Sequence, residues 1–284
     1  MASVTEIKYE TPPQPRQVRL DSTTRCNGAC LSCHRFLSSR KGEMNIDLIT
    51  QVLDDISRWQ RPLEEMVAVN YGELFMRKDW YLILSMIAQK LPATQIVIPT
   101  NGALLDEDAV FKLCKIPTLR LINLSINAYF DETYEMFNGL PASNIPRLRK
   151  AVAQFKLLRP DLQLRASMVF DPEWQTDLER DLFIDYWVGW AKPSVSVAAS
   201  AGRPGKKSYQ PVKIPCRSIF SDFVIGFDGK LNTCCFDANM DLDLGYYSGD
   251  ILKDWRNEKF ETFRRLHNDH RRDEIDLCRA CTFS

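Results

Sequence analysis

Residues 21–35 read DSTTRCNGACLSCHR and follow an alternating, strand-like run from Arg16 to Ser22. Three cysteines, Cys26, Cys30 and Cys33, are separated there by three and then two residues. That spacing can bring three thiolates onto three irons of a four-iron, four-sulfur (4Fe-4S) cube and leave the fourth iron without a protein ligand. An exogenous amine and carboxylate can chelate such an open iron, and one electron from the cube can then break a bond in the chelated molecule. Two other readings use the same residues. Cys30 to His34 is also C-x-x-C-H, the c-type haem attachment pattern, but that leaves Cys26 idle and needs export to the compartment where haem is attached. A zinc site would find no nearby fourth ligand except His34. The open cluster accounts for all three cysteines.

Downstream and upstream of this loop, strand and helix periods alternate from about Gln17 to Ser200. The strands expected are Val18 to Ser22, Met66 to Tyr71, Gln95 to Thr100, Leu119 to Asn127, Gln163 to Phe170 and Ser194 to Ala199, with helical periods at Ile46 to Trp59, Asp79 to Leu91, Asp106 to Cys114, Ile145 to Leu158 and Trp174 to Trp190. Six βα units predict an α/β fold with a parallel sheet, an open or partial (β/α)6 barrel. Asn123, Ser125 and Asn127 share one face of their strand, Gln163, Arg165 and Ser167 of the next, and Ser194, Ser196 and Ser200 of the last. Barrel interiors are normally filled by branched apolar side chains, so polar groups lining this one predict a cavity that holds a polar ligand or ordered water. The other reading of those faces is exposed strand edges.

Residues 201–215, AGRPGKKSYQPVKIP, read as a linker. After it the pattern changes to a β-hairpin, Asp222 to Phe227 and Lys230 to Cys235 around the turn Asp228-Gly229, and then an amphipathic helix, Ile251 to Leu266. The domain division expected is an N-terminal extension (1–15), the partial barrel (16–200), the linker (201–215) and a C-terminal hairpin-plus-helix domain (216–284).

Composition narrows the function. The 37 basic and 37 acidic residues balance, so no long-range field draws the chain to nucleic acid or an anionic membrane. The longest apolar run, near Trp80 to Ala88, is interrupted by Ser85 and is too short to span a bilayer. MASVTEIKYETPPQPRQ lacks a basic start and an apolar h-region, and a cytoplasmic location is expected. Nine cysteines in a reducing compartment, grouped mostly near the two ends of the chain, point to metal or catalysis rather than disulfides.

With its flanking segments, the cysteine loop resembles the radical S-adenosylmethionine (AdoMet) superfamily, over nearly the whole chain. Asn70-Tyr71-Gly72-Glu73 resembles that family's Gly-Gly-Glu-Pro, with Tyr71 in place of the first Gly and Leu74 in place of the Pro. Thr100-Asn101-Gly102 is similar to its third-strand T-N-G, and Ser125 with Asn127 to fourth-strand residues near the ribose. Ser32 departs from the pattern, since an aromatic residue there usually touches adenine. The resemblance implies a six-stranded partial barrel, AdoMet on the open iron, and a 5'-deoxyadenosyl radical that removes a substrate hydrogen atom. It also implies Gly72 and Glu73 around the AdoMet ammonium, with Asn101, Ser125 and Asn127 nearby, and a reductant such as flavodoxin or ferredoxin.

Cys216, Cys234, Cys278 and Cys281 form a second group, whose C-x12-G-x4-C interval (with Gly229) and closing C-x2-C resemble the auxiliary-cluster region of SPASM and twitch domains. One auxiliary set matches the twitch type. Four thiolates saturate a cube, which then cannot bind AdoMet and suits electron transfer; a four-cysteine zinc knuckle has the same spacing. Cys114 reads as a small core residue. Cys235, opposite to Cys234 by strand alternation, reads as a hydrogen-atom donor to a substrate radical, a spare thiol or an alternative ligand. Arg165 is the candidate for a carboxylate contact. His267 and His270, among Arg264, Arg265, Arg271 and Arg272, read as a solvated helix end.

The expected protein is thus a radical AdoMet oxidoreductase of the twitch type with two 4Fe-4S clusters. It would dehydrogenate a small polar molecule such as a sugar or aminocyclitol, with the auxiliary cluster accepting an electron. The alternatives are a radical epimerase or ribosomal-peptide-modifying enzyme with Cys235 as hydrogen donor, and a non-catalytic metal-binding module.

Overall fold

Period-two alternation organises the sheet. The computed structural model describes residues 7–197 and 212–283. Six strands follow the chain in parallel: β1 (Gln17–Leu20), β2 (Glu65–Val67), β3 (Gln95–Thr100), β4 (Leu119–Ser125), β5 (Gln163–Phe170) and β6 (Lys192–Val197). The crossovers carry α1 (Ile46–Ser57), α2 (Trp80–Lys90), α3 (Glu107–Cys114), α4 (Asp131–Asn138), α5 (Asn144–Leu158) and α6 (Asp177–Trp187). Val18, Leu20, Ile96, Ile98, Ile122, Leu124, Ala166 and Met168 lie on one face of their strands and are buried in the core. The intervening Arg19, Val97, Pro99, Asn123, Ser125, Arg165 and Ser167 are only half-buried and form the inner, polar face. Helix starts are fixed by local chemistry: Asn45, Asp106 and Thr176 accept backbone N–H bonds at the first turns of α1, α3 and α6.

Three expectations change. The first is the polar lining, which holds for Asn123, Ser125, Arg165 and Ser167 but not for Gln163, exposed at the start of β5, nor at the edge: Ser194 and Ser196 are exposed on β6, whose outer side has no further strand among the described residues and which opens with Lys192 and Pro193, residues that discourage edge pairing. Ser200 and residues 201–211 of the expected linker lie outside the described residues. Secondly, β2 ends at Val67, because the chain turns at Asn70–Glu73 to meet the cysteine loop. Thirdly, the helix expected over Ile251 to Leu266 is two, α7 (Ile251–Trp255) and α8 (Glu258–Asn268), since Asn257 leaves the helical region and caps α8 through the Phe260 N–H. The α4 helix was not anticipated: only Tyr134, Phe137 and Asn138 of its eight residues are buried, too little for a periodic signal.

The C-terminal hairpin is not a separate layer. Its first strand, β7 (Asp222–Ile225), pairs in parallel with β1, and β8 (Leu231–Asn232) pairs antiparallel with β7, giving one eight-stranded sheet in the order β6-β5-β4-β3-β2-β1-β7-β8. Behind it Phe223, Trp255 and Phe260 are wholly buried, with Phe223 stacked on Phe260 at 5.6 Å. The N-terminal segment closes over this cluster: the Trp255 indole N–H donates to the Pro12 carbonyl (3.0 Å), while Tyr9 and Asn268 exchange two hydrogen bonds of 3.0 and 2.9 Å. No helix among the described residues is long and apolar enough to cross a membrane.

Because Phe223 joins the barrel to this cluster, Phe223→Ala should cost about 3–5 kcal/mol and lower the denaturant midpoint of both regions together. Separate transitions for a barrel probe and a Trp255 probe would contradict a shared core.

Candidate active site

The chain leaves β1 at Asp21 and is clamped at once by its neighbours. Gly72 sits where a Cβ would stand 2.1 Å from the Thr23 carbonyl oxygen and 2.8 Å from that of Arg25, so only glycine lets the β2 loop reach the cysteine loop. The Glu73 N–H then donates to the Arg25 carbonyl at 2.7 Å. The Glu73 carboxylate turns inward, accepting from the Thr100 hydroxyl and the Asn101 N–H, each at 2.9 Å. It is 2% exposed, and burial pushes its pKa up to about 7 against these donors. Asn101 carries the connection further: its Nδ2 donates to Asn27 Oδ1 at 2.8 Å and stands 3.8 Å from Cys26 Sγ.

At the end of β4 the expected common face is interrupted. Asn127 has φ +63°, in the left-handed region, so it leaves the alternation and is buried rather than sharing the face of Asn123 and Ser125. Its Nδ2 donates to Asn138 Oδ1 (2.8 Å) and its Oδ1 accepts from the Val169 N–H (3.0 Å). Asn138, the last residue of α4, receives the Ala29 N–H on its carbonyl (2.8 Å) and lies 3.7 Å from Cys30 Sγ through Oδ1. Ser125 stays half-buried on the inner face, as does Arg165, whose side chain makes no hydrogen bond or ion pair with another described residue.

Cys26, Cys30 and Cys33 are thus held on one loop by β3 and α4. Burial raises the pKa of Cys26, and raises that of Cys30 to about 12, with the charges of Cys33 and Cys26 adding to it. Cys26 and Cys30, buried and facing the charge of their neighbours, call for cations among the thiols, and the Gly28 N–H, 3.4 Å from Cys26 Sγ, is placed to bond a cluster thiolate. The donor set fits iron and sulfide.

The second set repeats this design. Cys216, Cys234, Cys278 and Cys281 line one small cavity, with the Phe236 N–H 3.4 Å from Cys234 Sγ and the Phe283 N–H 3.4 Å from Cys281 Sγ, each two residues on, as Gly28 is from Cys26. Burial lifts Cys234 well above the usual thiol range and Cys278 to about 12. Cationic help comes from Arg272, 2% exposed, whose Nη1 donates to the Ile214 (2.9 Å) and Phe283 (3.1 Å) carbonyls and whose charge favours ionised Cys216 and Cys278. These four thiols and one cation also fit a cluster.

The expected solvated helix end is therefore wrong for three of its members. Phe260, Arg264 and His267 lie at i, i+4 and i+7 on the buried stripe of α8, and Arg264 and His267 are each 2% exposed. Arg264 is stacked 3.8 Å from the Trp255 ring centroid, and Arg272 is buried beside the cysteines. The Nδ1 atom of His267 accepts the Cys216 N–H at 3.0 Å, and its Nε2 lies 3.7 Å from Cys278 Sγ. Burial, then the charge of Arg272, lower its pKa to about 4. Arg271 remains exposed and paired with Glu274, as a solvated segment should be.

The two cysteine sets adjoin. The His34 ring meets Phe236 edge-on at 4.8 Å, Phe236 meets Phe283 at 5.4 Å, and the Tyr71 hydroxyl donates to the Cys234 carbonyl at 3.3 Å. Cys235 is the exposed cysteine by residue, but its sulfur turns to the protein-crowded rim of the same cavity, where desolvation, then the charge of Cys216, pushes its pKa up to about 12. Cys114 packs against the core, and no disulfide joins any of the nine cysteines. Asn138, His267 and Arg272 escaped the sequence reading. The i, i+4, i+7 stripe from Phe260 was the available signal for His267; none marked Asn138.

Residues 20–158 match the Radical SAM superfamily and residues 216–282 an iron-sulfur cluster-binding domain, SPASM. The chain is 22% identical over 270 residues to the S-adenosyl-L-methionine-dependent 2-deoxy-scyllo-inosamine dehydrogenase of Niallia circulans, covering 93% of this chain and 91% of that protein. Its fold is similar to BtrN in complex with AdoMet and 2-DOIA (TM-score 0.69, 17% identity, 97% of this chain and 94% of that one). It is also similar to Streptococcus suis SuiB bound to precursor peptide SuiA (TM-score 0.63, 13% identity, 96% and 70%).

Gly72→Ala should strip iron from the first set and lower the melting temperature, whereas Gly28→Ala, whose added Cβ would come no closer than 3.4 Å to a neighbour, should keep both. Iron analysis of the two purified variants decides this, and equal iron would refute the proposed crowding. Glu73, raised from an ordinary 4.5 to about 7, stabilises the fold fully below pH 4.5, and that contribution disappears as pH rises through 7. Its loss amounts to up to about 3 kcal/mol at about 1.4 kcal/mol per unit. Urea midpoints of the wild type should accordingly fall more steeply between pH 5 and 8 than those of Glu73→Gln; parallel slopes would exclude the effect.

Proposed function

The chain belongs to the radical SAM superfamily, as an oxidoreductase-type enzyme with an iron-sulfur auxiliary domain, and from that premise we propose that it dehydrogenates a small polar alcohol or amine, an aminocyclitol or sugar. The observation that carries this reading is the pair of adjoining cysteine sets, three thiols after β1 and four around the end of β8, each furnished with its own N–H donors. When bound, AdoMet and two 4Fe-4S clusters would supply a 5'-deoxyadenosyl radical that takes one hydrogen atom and a sink for the electron left on the substrate, whose proton passes to a base.

The geometry supports the following contributions of the protein itself. Cys26, Cys30 and Cys33 would hold the AdoMet-binding cluster, and Cys216, Cys234, Cys278 and Cys281 the auxiliary one. Gly72 brings Glu73 beside the cysteine loop, where its carboxylate has lone pairs left for the AdoMet ammonium. Asn101, Ser125 and Asn127, at the ends of β3 and β4, shape the rest of the AdoMet pocket. Arg165, half-buried on the inner face with no side-chain partner among the described residues, orients the substrate or the AdoMet carboxylate. The inner face is polar enough to solvate hydroxyl and amino groups, with the Ser167 hydroxyl donating to Asn123 Oδ1. Residues 16–200 and 216–284 act as catalytic and auxiliary units, a flavodoxin or ferredoxin is the reductant, and nine unpaired cysteines suit the cytoplasm.

A second reading rests on the thiol of Cys235, at the cavity rim: return of a hydrogen atom from that thiol would make the enzyme an epimerase, of a small molecule or of a peptide.

Anaerobic reconstitution should yield about eight irons per chain. With dithionite, AdoMet and 2-deoxy-scyllo-inosamine deuterated at the reacting carbon, deuterium should enter 5'-deoxyadenosine and a ketone should form. Cys30→Ala should abolish AdoMet cleavage, and Cys278→Ala should cut product at least tenfold while cleavage persists. Cys235→Ala should leave the ketone unchanged; loss of a configurationally inverted product in that variant would favour the epimerase, and absence of 5'-deoxyadenosine from every reaction would reject both.

A further inference from the structure

His267 is buried and absent from every motif that marks the cofactor sites. Its two ring nitrogens have different duties. The Cys216 backbone N–H points at Nδ1 from 3.0 Å, and a backbone amide can only donate, so Nδ1 must present its lone pair. In a neutral imidazole the single proton then belongs on Nε2. That nitrogen is 3.7 Å from Cys278 Sγ, within reach of an N–H···S hydrogen bond.

We propose that His267 is a redox-tuning residue: its Nε2–H donates to the Cys278 thiolate and raises the reduction potential of the auxiliary cluster. The inference rests on the reading of Cys216, Cys234, Cys278 and Cys281 as that cluster's ligands. A donor to a cluster sulfur withdraws charge from it, and stabilises the more negative, reduced state more than the oxidised one. The arrangement is over-determined by the fold. His267 is fixed by its place on α8, one turn beyond Arg264, which bonds the Ile219 carbonyl (3.1 Å) and the Trp255 carbonyl (2.7 Å). Cys216 precedes the 3-10 turn Arg217–Phe220 that leads directly into β7. One imidazole therefore links the first ligand of the set, through its backbone, to the third, through its sulfur, and its donor cannot rotate away without leaving the Cys216 amide unpaired. Arg272 acts in the same direction as a buried positive charge, so the pair of them favours a cluster that takes an electron readily, the property that the dehydrogenation asks of it.

The two halves of the imidazole can be tested separately. Asn places a carboxamide oxygen near the Nδ1 position and lacks the distal donor, whereas Gln reaches the Nε2 position with an N–H. EPR-monitored redox titration of anaerobically reconstituted protein should find that His267→Asn lowers the reduced-to-oxidised ratio of the auxiliary cluster about tenfold at fixed potential, about 59 mV for one electron. His267→Gln should stay within about twofold of wild type. In the wild type carrying 15N-labelled histidine, pulsed EPR of the reduced auxiliary cluster should detect a nitrogen coupling that His267→Asn abolishes. An unshifted Asn variant, equal shifts in Asn and Gln, or no nitrogen coupling in the wild type would each overturn the hydrogen bond while leaving the auxiliary cluster in place. A wild type that holds only about four irons would instead remove the cluster reading, and this inference with it.

Discussion

Strand β1 has neighbours on both sides, β2 on one and β7 on the other, and this double pairing is the constraint on which the site depends. A loop leaving the C-terminal end of β1 emerges between the β2 loop and the hairpin of β7 and β8. The three thiols of the first set are thereby delivered next to Gly72 and Glu73 on one side and to Cys234 and Phe236 on the other. Parallel pairing matters here, because it brings β1 and β7 out at the same end of the sheet. Had β7 run the other way, the two cysteine sets would sit at opposite ends of the strands, roughly a strand length apart.

Burying sulfur that must become anionic is the second constraint, and both sets answer it alike. In each, backbone N–H groups two residues after a cysteine face its sulfur, and a side chain from another element completes the surroundings: Asn101 for Cys26, His267 for Cys278. The sets also match in charge, each facing one cation and one carboxylate, Arg35 and Glu73 beside the three thiols and Arg272 and Asp237 beside the four; they differ in depth, since Arg272 is buried and Arg35 only half-buried.

Much of this could be read from the chain, because the determining signals are local. Strand alternation gave the bounds of β3 and β5 to the residue, and cysteine spacing named both sets before any contact was known. The remainder depends on long-range contacts that leave no periodic trace. That β7 joins β1 is a pairing across two hundred residues; α4 buries too few side chains to announce itself; Asn127 left its expected face because a left-handed residue is invisible in an alternating pattern. His267 and Arg272 were hidden by their neighbours, since a run of charges suggests water even where one stripe of it faces inward.

The order of strands along the chain has a cost in time. β1 leaves the ribosome long before its partner on one side is completed at Ile225, and before the aromatic cluster behind that partner is completed at Phe260. Until then β1 offers an unpaired edge next to three thiols, a combination open to aggregation and adventitious oxidation. Assembly of the metal centres therefore belongs after β7 and α8 have been made, when the late strand has sealed the early one.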